Sequence, residues 1–212
     1  ELIRMLENIL TPKGFLKGFK YYIKKYDGKA AICENFIHSM ETTNNINLRQ
    51  FYLWYSQAGT PEINIIPDYN IKNKKLSIKV TQNIPDTPKQ KNKKAMLIPL
   101  KISLFNAEGK KYFLDKNKSK KELTILLKNK SHTFYYENIE ANPAISINRG
   151  FTSPVKINLE QDKNKLQILM MHDNDSFKKW DQIYKYLLDL CIKQSKTTKN
   201  VKIDLFFIKV IK

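Results

Sequence analysis

Phe51-Tyr52-Leu53-Trp54-Tyr55-Ser56-Gln57-Ala58-Gly59-Thr60-Pro61 is the stretch on which the reading of the fold turns. Before it, apolar residues recur at helical spacing. After it they alternate. Gly terminates helices and Pro cannot continue them, so Gly59-Thr60-Pro61 marks the change. On the helical side, Asn47 is expected to cap a helix that carries Leu48, Phe51, Tyr52 and Tyr55 on one face. Further upstream, Cys33, Phe36, Ile37 and Met40 form one apolar stripe. Phe15, Phe19, Tyr22 and Tyr26 form another, which starts at the Thr11-Pro12 N-cap and stops at Asp27-Gly28. Leu2 to Leu10 reads as a further helix with no cap before Glu1.

On the other side the period is two. Leu76, Ile78 and Val80 alternate with polar residues, as do Ile98, Leu100, Ile102 and Leu104. Asn106 to Gly109 is a turn, followed by Tyr112 and Leu114. Leu123, Ile125 and Leu127 come next, then Phe134 and Tyr136, then Val155, Ile157 and Leu159. Short strands with polar connections and no helix between them predict an antiparallel sandwich over 59–157. Past Glu160 the helical period returns, with Phe177, Trp180, Tyr184, Leu187 and Cys191 on one face and N-cap candidates in Asp173-Asn174-Asp175-Ser176. The last apolar pattern is Leu205-Phe206-Phe207-Ile208. The expected fold is therefore multidomain α and β: helices over 1–58, an antiparallel β-sandwich over 59–157, and the beginning of a helical domain over 158–212. Both ends read as cuts through structured elements, which predicts a fragment of a longer protein.

With 42% hydrophobic and 11% aromatic residues, the 212-residue chain can bury a core and is not disordered. No apolar run approaches the roughly 18 residues of a membrane span, and no signal peptide opens the chain. Two cysteines, Cys33 and Cys191, make neither a disulfide framework nor a metal site. A cytoplasmic, reducing compartment is expected, and each thiol is expected to be buried on an apolar helix face.

The net charge of +18 invites a nucleic-acid reading. Yet only Arg4, Arg49 and Arg149 of the 38 basic residues are Arg, and readout of bases and phosphates favours the Arg fork. Lys, Asn and Ile together make up 80 of 212 residues, the trio that AT-rich coding sequence over-produces. The excess concentrates in 59–130, densest at Lys89–Lys94 and Lys116–Lys121, both expected as solvated loops. A basic β-sandwich binding module for nucleic acid or anionic surfaces stays open as the alternative. Tyr112 and Phe113, beside Lys110 and Lys111, are its stacking candidates.

No catalytic constellation stands out. His38, His132 and His172 are scattered, and no H-E-x-x-H places two imidazoles on one helical face. His38 reads as a residue beside a core stripe and His172 as a cation at a helix end. G-x-S-x-G and the phosphate loop are absent. Asp173-Asn174-Asp175 lacks EF-hand spacing and reads as a capping run. Trp54 and Trp180 read as core or domain-interface residues.

The junction resembles the aminopeptidase N family of zinc metallopeptidases, in its bacterial alanyl-aminopeptidase branch. Asp27-Gly28-Lys29-Ala30-Ala31-Ile32-Cys33-Glu34-Asn35-Phe36 resembles that family's DG.AATC.DF, with Ser39-Met40-Glu41 in place of AME. Trp54 to Pro61 matches its WYSQAGTP. Glu1 to Met5 resembles EVIRM, and Ile98-Pro99 matches its IP strand. Arg149-Gly150-Phe151-Thr152-Ser153-Pro154-Val155-Lys156 resembles RGFSAPVK. His172 to Phe177 with Trp180 resembles HDSDPF.RW, with Asn174 replacing Ser and Ser176 replacing Pro. The match runs from residue 1 to about 194.

The resemblance implies a layout and an activity. Residues 1–58 would be the last helices of a thermolysin-like catalytic domain, 59–157 the β-sandwich domain, and 158–212 the opening of the C-terminal helical domain. The whole protein would be a cytoplasmic, monomeric zinc aminopeptidase acting on peptides, with neither nucleic-acid nor membrane partners. In that family zinc polarises a water and the peptide carbonyl, a Glu is the general base, and acidic residues bind the free α-amine. The family's H-E-x-x-H, distal zinc-ligand Glu, G-x-M-E-N loop and catalytic Tyr all precede the part matched by Glu1. No catalytic or metal residue is therefore assigned to any position here, substrate-binding residues are not assigned, and Tyr21, Tyr22 and Tyr26 are helix-face residues rather than substitutes. A non-enzymatic scaffold derived from such a peptidase is the remaining alternative.

Overall fold

In the computed structural model, residues 1–197, 203, 207 and 208 are described. Helix α1 (Leu2–Tyr26) is broken where Pro12 removes a backbone donor, with Thr11 at φ 67. Thr11 Oγ1 accepts from Gly14 N, the cap expected of that residue. Helix α2 (Cys33–Asn44) ends on Asn45 in the left-handed region. The two helices close on each other because α1 carries a glycine at the crossing. A Cβ on Gly18 would lie 2.3 Å from Met40 Sδ and 3.2 Å from the Met40 Cα. Their shared core is Met5, Leu6, Leu10, Ile37, Met40, Leu48 and Phe51.

The third helix is shorter than its spacing predicts. Asn47 Oδ1 accepts from Arg49 N, which makes a local turn, and α3 is only Leu53–Ser56. Leu48 and Phe51 are fully buried, while Tyr55 is exposed, so the apolar stripe is real but the backbone is mostly turns.

Among the described residues seven strands follow: β1 (Glu62–Asn70), β2 (Lys75–Asn83), β3 (Ile98–Phe105), β4 (Leu123–Leu127), β5 (Ser131–Tyr136), β6 (Ala144–Ile147) and β7 (Lys156–Asn158). They form a four-stranded sheet in the order β5-β2-β1-β7 and a three-stranded sheet in the order β4-β3-β6. The sandwich is not purely antiparallel. Strand β7 pairs parallel with β1, Ile63 beside Ile157. The short crossover from β6 through the turn η1 (Arg149–Phe151) carries the chain to the other sheet, alongside β1 in the same direction. Tyr112 and Leu114 do not continue a strand: Lys111 makes a single bridge to Phe105.

Inward-facing Ile63, Ile65, Leu76, Ile78 and Val80 of one sheet meet Leu100, Ile102, Leu104, Ile125 and Ile147 of the other. Each fully buried aliphatic side chain of this kind contributes roughly 1.5–3 kcal/mol. Two prolines sit within the strands, each where its strand has one neighbour. Pro67 lies past Asn64, the last residue paired by β7. Pro99 lies before Ile102, the first residue paired by β6. There a missing N–H costs no ladder bond on the open side.

Side chains of the 50–60 segment join the helices to the sandwich. Trp54 packs against both cores and donates through Nε1 to Leu97 O at 2.9 Å. Gln57 accepts from Lys94 N and donates to Lys94 O. Lys93 Nζ donates to Ala58 O, Pro85 O and Thr87 Oγ1 at 2.6–2.8 Å. That lysine belongs to the first basic stretch, so one member of an expected solvated loop is a structural clasp. Lys116, Lys118, Lys120 and Lys121 are exposed as expected. Helices α4 (Lys163–His172) and α5 (Ser176–Ser195) follow the sandwich. The run Leu205–Ile208 lies mostly outside the described residues. Among the described residues no helix is long and apolar enough to cross a membrane.

Candidate functional site

The most organised polar centre lies where the sandwich meets α4 and α5. Arg149 stands on η1 with its side chain 2% exposed, and a charge so buried needs partners on every side. It has them. Nη1 donates to Asp173 Oδ1 at 2.5 Å and to Ser146 Oγ at 2.9 Å, Nε to Glu122 Oε2 at 2.5 Å, and Nη2 to Asn174 Oδ1 at 2.9 Å. The Phe105 ring lies 5.8 Å from the guanidinium carbon. Asp173 is 1% exposed at its side chain and also accepts from Ser146 Oγ and Asp175 N. Burial disfavours the Arg149 cation, but Asp173 and Glu122 outweigh it and hold the guanidinium above its ordinary value.

The local backbone explains why this arginine can turn inward. Asn148 and Gly150 both take left-handed conformations, φ 59 and 62. Asn148 tolerates that region and locks the turn, with Oδ1 accepting from Ser153 N and Thr152 Oγ1 and Nδ2 donating to Ser153 O. Ser153 Oγ then donates to Pro99 O, and Thr152 Oγ1 accepts from Lys101 N, which ties the turn to β3. From the N-terminal side, Arg4 donates to Phe151 O at 3.1 Å and stacks over its ring. Phe151, Phe177, Trp180 and Tyr184 continue as a ladder of rings 4.9–5.9 Å apart. Three elements far apart in sequence, α1, η1 and the α4–α5 hairpin, thus meet at 149–151.

Asp173 was expected as part of a capping run. Asp175 does cap α5, accepting from Lys178 N, but Asp173 is the buried partner of Arg149. The signal that could have found the pair is the scarcity of arginine. In a chain that uses Lys almost throughout, each of the three Arg is a candidate for a planar fork, although Arg49 is exposed and Arg149 alone of them is buried.

The histidines are not brought together. His38 is on the exposed side of α2, 4.0 Å from Glu41. His132 lies on β5, where Nε2 accepts from Lys128 N and Asn129 N and the ring stacks on Phe134. His172 ends α4 and packs on Gly109. Among the described residues no group of three or more His, Cys, Asp or Glu could hold a metal ion. The residues here do not fit a zinc site. Tyr22 packs edge-on to Phe36 and onto Tyr26, and Lys25 covers Tyr21 and Tyr26, the contacts of helix-face residues.

Three expectations are corrected here. Cys33 and Cys191 are exposed, because Cys33 sits at the open start of α2 and Cys191 on the outward stripe of α5. Trp180 is 57% exposed, which excludes the core reading and leaves that of a domain-interface residue, since α5 turns Lys178 and Asp181 towards the sandwich and its apolar stripe away from it. The basic-patch alternative is not supported. Lys111 is drawn to Asn174, Lys121 covers Phe113, Tyr112 Oη accepts from Ala141 N, and Lys74 and Lys75 pair with Glu140 and Glu137.

A two-sheet sandwich between helical elements, clasped through one arginine, has known counterparts. The family model described as "Domain of unknown function (DUF3458) Ig-like fold" matches residues 59–160. The class is therefore an Ig-like sandwich flanked by α-helices. A crystal structure of Legionella pneumophila aminopeptidase A in complex with aspartic acid superposes on 99% of this chain and 23% of its own, with a TM-score of 0.83 at 22% identity, which speaks to the fold. In sequence, aminopeptidase N of Escherichia coli is 33% identical over 181 residues, covering 85% of this chain and 21% of that protein. Aminopeptidase N of Haemophilus influenzae is 37% identical over the same shares. The chain belongs to the aminopeptidase N family. It spans about one fifth of the length of these relatives.

Proposed function

We propose that this chain supplies the structural middle of a zinc aminopeptidase that removes N-terminal residues from peptides. Residues 1–58 are then the closing helices of its catalytic domain, 59–157 its sandwich domain, and 158–212 the start of its helical domain. The observation that carries this reading is the continuous similarity to aminopeptidase N over 85% of the chain, including both stretches that meet at Arg149. Zinc, when bound in the whole enzyme, supplies Lewis-acid activation of water and carbonyl. Its ligands come from outside these residues, because the histidines here stand on separate elements and two of them have structural partners. The role of this chain's residues is to hold domains in register: Trp54, Gln57 and Lys93 on one side of the sandwich, Arg149 on the other. The enzyme acts on free peptides in the cytoplasm as a monomer.

The experiment has two arms. Residues 1–212 alone, assayed on alanine 4-nitroanilide with zinc added, are expected to be inactive, and turnover above background would sink the assignment of catalysis to other residues. The longer polypeptide that contains this sequence is expected to cleave the same substrate and to lose activity to a chelator. Its failure to do so would leave the non-enzymatic scaffold.

A further inference from the structure

Beside the Arg149 joint, β6, β7, α4 and α5 line a separate, partly open cavity of about 470 Å³. Small-molecule sites run from about 300 to 1,000 Å³. Its floor is aliphatic, built from Ile145, Ile147, Ile157 and Leu159. Lys178 also lines it, with a side chain 5% exposed. An ammonium carries three donors. Among the described residues the Lys178 ammonium meets one acceptor, Asp181 Oδ2 at 2.6 Å, and Lys185 shares that same oxygen at 3.1 Å. The Phe177 ring, 6.0 Å away, supplies a weak further contact. Burial pulls the Lys178 ammonium below the ordinary lysine range against the effect of Asp181.

A buried cation with donors to spare, on the wall of a cavity with an aliphatic floor, is costly unless an anion completes it. The complement is a carboxylate with an aliphatic tail: oxygens for the ammonium, methylenes for the floor. Glu160, which is exposed, lines the same cavity, as do Lys185, which adds to the pull on a carboxylate, and Asp189, which is paired with Lys193 at 2.6 Å. We propose that this cavity is a binding site for a short aliphatic monocarboxylate, its carboxylate on Lys178 and its tail over Ile145, Ile147, Ile157 and Leu159. The site is independent of the peptidase reading. The same chemistry is offered by a free branched-chain acid and by the C-terminus of a peptide ending in leucine.

Calorimetric titration of the 212-residue chain tests the proposal. The probes are 4-methylpentanoate, 4-methylpentan-1-ol, 4-methylpentylamine, Gly-Gly-Leu and Gly-Gly-Leu amide. The acid is expected to bind at least about ten-fold tighter than the alcohol and the amine, and Lys178→Met is expected to remove that preference. If Lys178→Met does not fold, Leu159→Trp, which fills the cavity and keeps the cation, is expected to abolish binding. Tripeptide binding that the amide loses would identify a peptide C-terminus as the source. Binding of 4-methylpentanoate alone would identify a free acid. Equal binding of acid and alcohol, no binding of either acid, or binding unchanged in both variants would overturn the proposal.

Discussion

Replacing Arg149 by Met tests whether the joint holds the sandwich and the α4–α5 hairpin together. The substitution leaves Asp173, 1% exposed, with its charge unpaired and only Ser146 Oγ and Asp175 N as donors. Removing one partner of a buried pair costs about 3–5 kcal/mol, because the other charge stays buried. The Glu122 arm adds little, since its side chain is 36% exposed and solvent screens it. In a chain of this size each kcal/mol lowers the midpoint by about 2–4 °C, so Arg149→Met is expected to lose about 6–20 °C. Arg149→Lys should fail as well, by about 1.5–3 kcal/mol, because a point charge cannot meet four acceptors at once. The decisive comparison is the double variant Arg149→Met/Asp173→Asn. With both charges gone it is expected to be no less stable than Arg149→Met, a coupling of about 0.5–3 kcal/mol against additivity. Urea unfolding followed by circular dichroism, with tryptophan emission reporting on Trp54 and Trp180 together, measures each value. A single substitution costing under about 1 kcal/mol, or strictly additive costs, would refute the reasoning.

Gly109→Ala should destabilise the contact between the 106–109 turn and α4, since its Cβ would lie 2.1 Å from His172 Cγ and the residue has φ +75. The expected cost is about 1–3 kcal/mol by thermal melting, and His172→Ala should relieve the steric part but not the backbone part. Burial alone would raise the Asp181 carboxyl, yet Lys178 and Lys185 hold it below its ordinary value of 3.8. A carboxyl lowered in this way contributes stability above its unfolded value that is lost as pH falls through the folded one. The wild type should therefore lose stability below pH 3.8 more steeply than Asp181→Asn in acid-dependent melts. Both cysteines should react with a thiol reagent in the folded chain at rates within about ten-fold of a free thiol, and a slow Cys191 would show the α5 stripe to be covered.

The punctuation of the chain was legible in its sequence because local backbone chemistry enforces it. Thr11-Pro12 breaks α1, Gly59-Thr60-Pro61 ends the helices, and the alternation in 76–80, 98–104 and 123–127 gives β2, β3 and β4. Strands β1 and β6 were not read, for opposite reasons. In β1 the pattern Ile63, Ile65 is interrupted by the adjacent Ile66 and by Pro67, tolerable only because β7 stops at Asn64. In β6 all four residues are buried, so no alternation survives. The third helix was over-read because Leu48 and Phe51 reach the core from turns as readily as from a helix.

The joint was half legible. Both stretches, 149–156 and 172–180, stood out as motifs, yet nothing in either alone says that they touch. Their spacing in sequence, 24 residues between Arg149 and Asp173, is bridged only by the fold. What ties them is charge geometry: one planar cation whose donors diverge towards Glu122, Ser146, Asp173 and Asn174. A lysine there, a single point charge, would serve only some of these and leave the others without their donor. The same physics explains the inverted helix α5. Its sandwich-facing side carries the Lys178–Asp181 pair, and its apolar residues Trp180, Tyr184, Leu187, Leu188 and Ile192 point outward at 41–57% exposure. Helical periodicity predicts that such a stripe exists but not which way it faces. Lys178 and Asp181 belong to one helix and turn with it, so direction is set at the start of α5, where Arg149 holds Asp173 and Asn174 and Phe177 packs on Phe151.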